Sequence, residues 1–282
     1  MKKILYLSFL LISIFSCNKK NFPIKIDCNS ITTQGTLWSG INANNVSVNI
    51  PYINGDGDSY SAQVINSTVI TGLTAVLNSG NFSEGSGSLS LSILGTPSSE
   101  GVAVFPIEID GNSCLISVEI FLPEVGTLYQ GGMIAYIYQQ GDQGYISGEV
   151  HGIIAAEVDQ SSSAEWGCVG TLINGANEEF LGSGIQNTQD ILLGCNTSGT
   201  AAEICSNLVL NGFSDWFLPS ISELNKISSI LSSQSFYWSS TQYNGTIFPG
   251  TPDNNAWACL PPNTSGPRSK DLLYNVRAIR LF

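Results

Sequence analysis

Asp253-Asn254-Asn255, followed one residue later by Trp257, is the stretch of this sequence with the most chemical content. Carboxylate and amide side chains can satisfy hydroxyl groups, and an indole ring can cover the apolar face of a sugar. That combination binds rather than converts a ligand, so a recognition surface is the expectation here. Trp166, in a second aromatic-containing loop, is its companion candidate for stacking on a ring. Catalysis has little support. The chain contains no nucleophile elbow, no HExxH and no phosphate loop. His151 is the sole histidine, set between Val150 and Gly152, and reads as a packed or surface residue. A catalytic site, a cofactor and a metal are therefore not expected. With one histidine and no CxxC, zinc of the ordinary kind has no ligand set. Asn54-Gly55-Asp56-Gly57-Asp58 offers only two carboxylates and no distal Glu at EF-hand spacing, so it reads as a hairpin turn.

Seven cysteines are present, at 17, 28, 114, 168, 195, 205 and 259. The first belongs to an export signal. Lys2 and Lys3 precede the apolar run Ile4 to Phe15, which is too short to span a bilayer but fits a signal core. Ser16-Cys17 then resembles a lipobox, in which Cys17 is lipidated and becomes the first residue. The expected location is the cell envelope, as an outer-membrane lipoprotein held by its N-terminal lipid. Surface display is part of that expectation, although Asn18-Lys19-Lys20 is basic where some surface-exported lipoproteins are acidic. The remaining six cysteines then suit up to three disulfides in an oxidising compartment. Formal net charge is −12. Removing residues 1–16 deletes two lysines and leaves eight basic against 22 acidic residues, or −14. Such a chain repels nucleic acid and anionic polysaccharides at long range, and no nucleic-acid partner is expected.

The elements that must position these residues fall into two stretches after a tether at 17–26. From 27 to 123 the chain reads as strand and turn. Val46 to Ile50 alternates, as does Leu89 to Ile93, and Val102 to Ile109 continues the pattern. A β-sandwich follows, with Cys28 near one end and Cys114 near the other, paired to close a long loop. With the phrases NGDGDSY and LGTPSSEGVAVFPI, this region resembles the immunoglobulin-like modules that precede functional domains in bacterial surface proteins. From 124 to 282, Gly, Trp and Cys punctuate a less regular pattern. Gly131 to Tyr138 and Gly152 to Ala156 read as partnered strands, Asn187 to Gly194 and Thr200 to Leu208 as helices. Asn187 or Thr188 is the expected cap of the first helix. Ser220-Ile221-Ser222-Glu223 fits a capping box, and Pro219 forces Trp216-Phe217-Leu218 to be extended before it.

Several phrases in this second region occur in order. They are AEWGC at 164–168, Asn187-Thr188 before Gly194-Cys195, Gly199-Thr200-Ala201-Ala202 before Cys205, and GFSDWFLPS at 212–220. Tyr237-Trp238-Ser239-Ser240, Asn255-Ala256-Trp257 and a terminal VRAIRLF complete the set. Together they resemble the C-terminal domain family of a collagen-like bacterial adhesin. The resemblance covers about residues 126–282. It implies an α+β C-type-lectin-like fold, related in architecture to the formylglycine-generating enzymes, with Trp216, Leu218 and Trp238 in the core. Trp166 and Trp257 remain open to either a core or a ligand role. The fold class expected is thus a β-rich two-domain protein, an immunoglobulin-like β-sandwich followed by a C-type-lectin-like domain. The function expected is adhesion, by recognition of a glycan or protein ligand on a cell or matrix surface. A structural envelope component binding a protein is the alternative, and an oxidase-like enzyme using a cysteine pair the third. Calcium-dependent lectins use a comparable Asn-Asp cluster, but their full motif is missing. Among Cys168, Cys195, Cys205 and Cys259 three connectivities are open. Cys195–Cys205, bracketing a short loop, is favoured, which leaves Cys168–Cys259. The adhesin family's association with sulfated polysaccharides fits poorly here. Residues 124–282 carry five basic and 14 acidic side chains, or −9. Arg268, Lys270, Arg277 and Arg280 are the C-terminal basics that could cluster, and Arg277 and Arg280, in a strand motif, are expected to form ion pairs within the fold.

Overall fold

The computed structural model describes residues 22–231, 234–245 and 253–282. The expected lipidation site, Cys17, lies outside them. Among the described residues no helix is long and apolar enough to cross a membrane. Among the described residues the chain is β-rich, with several sheets and three short α-helices.

Alternation of apolar and polar residues builds the first part. Strand Val46–Gly55 turns Val46, Val48, Ile50 and Tyr52 inward. Strand Gly85–Gly95 does the same with Leu89, Leu91 and Ile93. The two pair antiparallel from Val46↔Ile93 to Tyr52↔Gly87. Leu73–Leu77 and then Gln63–Asn66 extend the sheet on one side, and Lys25–Ile26 and Thr32–Gln34 both pair with Val46–Gly55 on the other. Facing it is the hairpin Gly101–Ile109/Asn112–Phe121, with nine consecutive pairs and no register shift. Its two-residue turn, Asp110-Gly111, has φ of 48° and 71°. Both values are the left-handed conformations that match the twist of paired strands. Leu37–Trp38 runs parallel to Ile120–Phe121 on the hairpin's edge. The inward side chains of both sheets form one apolar cluster, drawn from Ile24 to Ile120. Burying each such Leu, Ile or Phe contributes about 1.5–3 kcal/mol. Cys28 and Cys114 are bonded, as expected, with Cα atoms 5.6 Å apart.

Beyond Leu122 the apolar side chains form two further clusters, drawn from residues 135–279. One four-stranded sheet runs in the order Leu128–Tyr129, Gly132–Ile137, Gly152–Ala155, Ile279–Leu281. A five-stranded sheet runs Ser161–Ala164, Tyr274–Val276, Tyr237–Gln242, Asn255–Leu260, Thr264–Ser269. Helices α1 (Gly184–Gly194), α2 (Ala201–Ser206) and α3 (Ile221–Ile227) pack between and beside them.

Trp216-Phe217-Leu218 is extended, and all three are buried. Phe217 exchanges both backbone hydrogen bonds with Ile279, at 2.9 and 3.0 Å. Pro219 then leads into α3. The Ser220 hydroxyl accepts from the Glu223 N–H, and the Glu223 carboxylate accepts from the N–H groups of Ser220 (2.7 Å) and Gly182 (2.8 Å). This capping box is fully buried. Desolvation pushes the Glu223 carboxyl upward, while the surrounding N–H groups pull it back.

The start of α1 differs from expectation. It begins at Gly184, and Asn187 and Thr188 lie inside it. Neither side chain caps. Asn187 instead donates to Glu178 O at 2.7 Å, and the Thr188 hydroxyl accepts from the N–H of Leu218 at 3.1 Å. Thr200 caps α2, with its hydroxyl accepting from the N–H of Glu203.

The two parts of the chain meet at a specific joint. The Val150 N–H donates to Gly40 O at 3.0 Å. Trp38 lies 5.9 Å from both Phe121 and Tyr129, and Tyr129 lies 5.4 Å from Phe282, so aromatic rings run without interruption across the joint.

Candidate ligand-binding site

The hairpin Asn255–Leu260/Thr264–Ser269 holds the first candidate. Six regular pairs, Asn255↔Ser269 to Leu260↔Thr264, fix which residues share a face. Ala256 and Ala258 turn into the core, while Asn255 and Trp257 point the other way. Asp253 and Asn254 sit at the head of the hairpin. The Asp253 carbonyl accepts from the N–H of Gly170 at 3.1 Å, and the Asn254 carbonyl from the N–H of Lys270 at 2.9 Å. Asp253, Asn254, Asn255 and Trp257 are thus brought together, each partly exposed. Tyr243 packs edge-on against Trp257 at 5.8 Å. The Trp257 indole N–H is shielded from solvent and has no hydrogen-bond partner among the described residues.

Trp166 does not belong to this surface. It is fully buried, and its indole N–H donates to Ser239 O at 2.9 Å. Its backbone is pinned by Lys270, whose carbonyl accepts from the Trp166 N–H at 3.0 Å. A ring with no open face cannot stack on a ligand, so Trp166 is a core residue. Trp216, Leu218 and Trp238 are buried in the same cluster, as expected of core residues.

Lys270 lies between Trp166 and the hairpin head, a place that its expected membership of a basic cluster did not foresee. In PRSKD it looks like an ordinary surface lysine. It is fully buried. Its ammonium group donates to Gln242 Oε1 at 2.7 Å and Thr171 O at 2.8 Å, and stands 4.4 Å from the centre of the Trp166 ring. Burial pushes its pKa down to about 8, while the negative charge of Asp253 acts in the opposite direction. One cation therefore ties the loop after Trp166, the end of strand Tyr237–Gln242 and the hairpin head. No sequence pattern marks a lysine for this role.

The second disulfide corrects the expected pairing. Cys168 bonds Cys195, with Cα atoms 5.7 Å apart, and Cys205 and Cys259 are free thiols. The geometry shows why. Cys195 follows α1 and meets the loop after Trp166. Cys205, inside α2, packs into the cluster around Trp166 and Trp238, while Cys259 packs into the separate cluster around Phe217 and Tyr237. Both free thiols are fully buried, and desolvation raises both above the usual thiol range.

The basic side chains of this half do not gather into an anion site. Arg277 pairs with Asp159 and Arg280 with Asp215, at 2.7 and 2.8 Å, as expected for the strand motif. Lys226 pairs with Asp142 at 3.1 Å. The Arg268 guanidinium lies 4.3 Å from the Phe236 ring centre. Hydrogen bonding from Arg280 holds the Asp215 carboxyl below its ordinary value.

A groove of about 310 Å³ opens between α1 and the Ser214–Phe217 stretch. Trp216 and Phe217 form its floor, Ile185, Leu192 and Leu281 its apolar walls, and Ser214 lies on its rim. The Ser214–Phe217 stretch therefore both enters the core and forms the base of a surface groove. No family model matches the chain, and no curated protein matches it.

Proposed function

We propose that this is an exported, lipid-anchored envelope protein that works by recognition rather than catalysis. In this reading residues 27–123 form an immunoglobulin-like β-sandwich that carries a C-type-lectin-like domain at 124–282. The second domain binds a glycan or protein ligand on a cell or matrix surface. The separation of apolar clusters on either side of Leu122 supports two domains. The observation that carries the binding reading is the hairpin head. Asp253, Asn254, Asn255 and Trp257 converge there, each partly exposed. Carboxylate and amide groups can meet sugar hydroxyls, while the open part of the indole ring covers the apolar face of a sugar.

The charge balance narrows the ligand. Four of the five basic side chains of this half are in ion pairs or buried, and the fifth lies against a ring. The surface left is acidic, which favours a neutral or cationic ligand over a sulfated one. A protein partner is the second reading, supported by the groove over Trp216 and Phe217, whose apolar walls suit a protein side chain. A glycan array probed with the full chain, with and without calcium, separates them. Binding that is weakened in Trp257→Ala supports the glycan site at the hairpin head. No binding to any glycan removes it and leaves the groove.

A further inference from the structure

The joint between the two parts of the chain encloses a cleft of about 340 Å³. Gly40, Asn42 and Thr96 line one wall, and Tyr129, Glu149 and Phe282 line the other. We propose that this cleft is a second binding site, for one or two neutral sugar rings. It is separate from the hairpin head.

Three observations carry this. First, the walls are held at a fixed spacing. The Val150 N–H to Gly40 O bond closes one end, and Gly40 has φ +73°. A Cβ at Gly40 would lie 2.5 Å from Val150 Cγ2, so only glycine lets the walls meet. Second, the cleft is lined by polar groups with unused capacity. Among the described residues, the Asn42 and Thr96 side chains make no hydrogen bond within the chain. The Tyr129 hydroxyl accepts from Gln130 at 2.9 Å and keeps its own proton to give. Glu149 uses Oε2 on His151 at 2.9 Å, leaving Oε1 to accept. Donors and acceptors in this mixture suit hydroxyl groups, which do both. Third, Tyr129 and Phe282 are partly open and meet edge to face at 5.4 Å, giving apolar surface for the C–H face of a ring.

Anionic sugars are excluded on charge. The nearest guanidinium, Arg280, is spent on Asp215 and on Gln130, at 2.8 Å to each, and Glu149 adds a carboxylate to the wall. The size is that of a small-molecule pocket.

Saturation-transfer NMR of the full chain tests the proposal. The probes are the methyl glycosides of glucose, galactose, mannose and N-acetylglucosamine, with galactose 6-sulfate as the charged comparison. At least one neutral glycoside is expected to bind, and the sulfated sugar is not. Asn42→Ala is expected to weaken binding about fivefold, as loss of one hydrogen bond would. Thr96→Phe, which fills the cleft from a partly exposed position, abolishes it, and Trp257→Ala leaves it unchanged. The absence of signal from every neutral glycoside overturns the proposal, as does binding that survives Asn42→Ala and Thr96→Phe. Binding lost only in Trp257→Ala also overturns it, and leaves sugar recognition at the hairpin head standing.

Discussion

Lys270 shows how much one side chain organises here. Its ammonium is removed from water and held by two neutral oxygens and a ring face. Relative to the unfolded chain, the fold eases loss of the proton, and the unfolded chain binds more protons between pH 8 and about 10.4. Wild-type stability gains from this group as pH rises through that window. Cys205 and Cys259 act in the opposite direction. Their raised pKa values mean that the unfolded chain ionises first, so stability falls above the usual thiol range. Comparing wild type with Lys270→Met cancels the thiols. Denaturant titrations across the window should show the difference moving in favour of wild type as pH rises. A difference that stays flat would mean that the amine is solvated. The thiols have their own test. A thiol reagent should leave Cys205 and Cys259 unlabelled in the native protein and label both after denaturation without reductant. Rapid labelling of the native chain would contradict their burial.

Residue types and spacing read these sites only partly. The Asp253–Trp257 cluster was legible because contiguous residues stay together whatever the fold does. Trp166 and the cysteine pairing were not, because each depends on which distant loops the fold brings together. Ten residues separate Cys195 from Cys205, and 27 separate it from Cys168, its actual partner. Chain proximity lost to the direction in which α2 points its thiol.

Single elements were the most legible level. Alternation in Val46–Ile50 and Leu89–Ile93 identified buried strand faces, since the two-residue period of a strand leaves little choice. The capping box at Ser220–Glu223 followed from local chemistry in the same way. Ser220→Ala should cost about 1–2 kcal/mol, at the upper end for a cap because the box is buried and also joins Phe180 O at 2.9 Å. Chemical denaturation measures it, and a change below a few tenths would mean that the box is dispensable. α1 was the misread element. Asn187 and Thr188 are residue types that cap helices, but here they bond outward from inside one, to Glu178 and Leu218. A tertiary partner outweighed the local preference.

At the scale of the molecule, the joint matters most. Aromatic contacts from Phe121 through Trp38 and Tyr129 to Phe282, with a backbone bond beside them, hold the two parts against each other. The Cys28–Cys114 bond closes an 86-residue separation, which in chain-entropy terms stabilises the first part by about 4.5 kcal/mol. Replacing both cysteines with Ala should lower its stability by a few kcal/mol while leaving the Cys168–Cys195 region intact, read by separate denaturation transitions. A single shared transition that moves as one would show instead that the joint couples the two parts. The surface of the second half is acidic, its five basic groups paired, buried or laid against a ring, and this is a matter of total charge that no single element reveals.

If the second half of the chain is a recognition domain, a glycan array with the full protein and its Trp257→Ala variant is the decisive measurement. Binding to neutral glycans is expected, weakened by the substitution at the hairpin head, with no preference for sulfated chains. A wild-type protein that binds no glycan, or one that selects sulfated glycans regardless of Trp257, would contradict it.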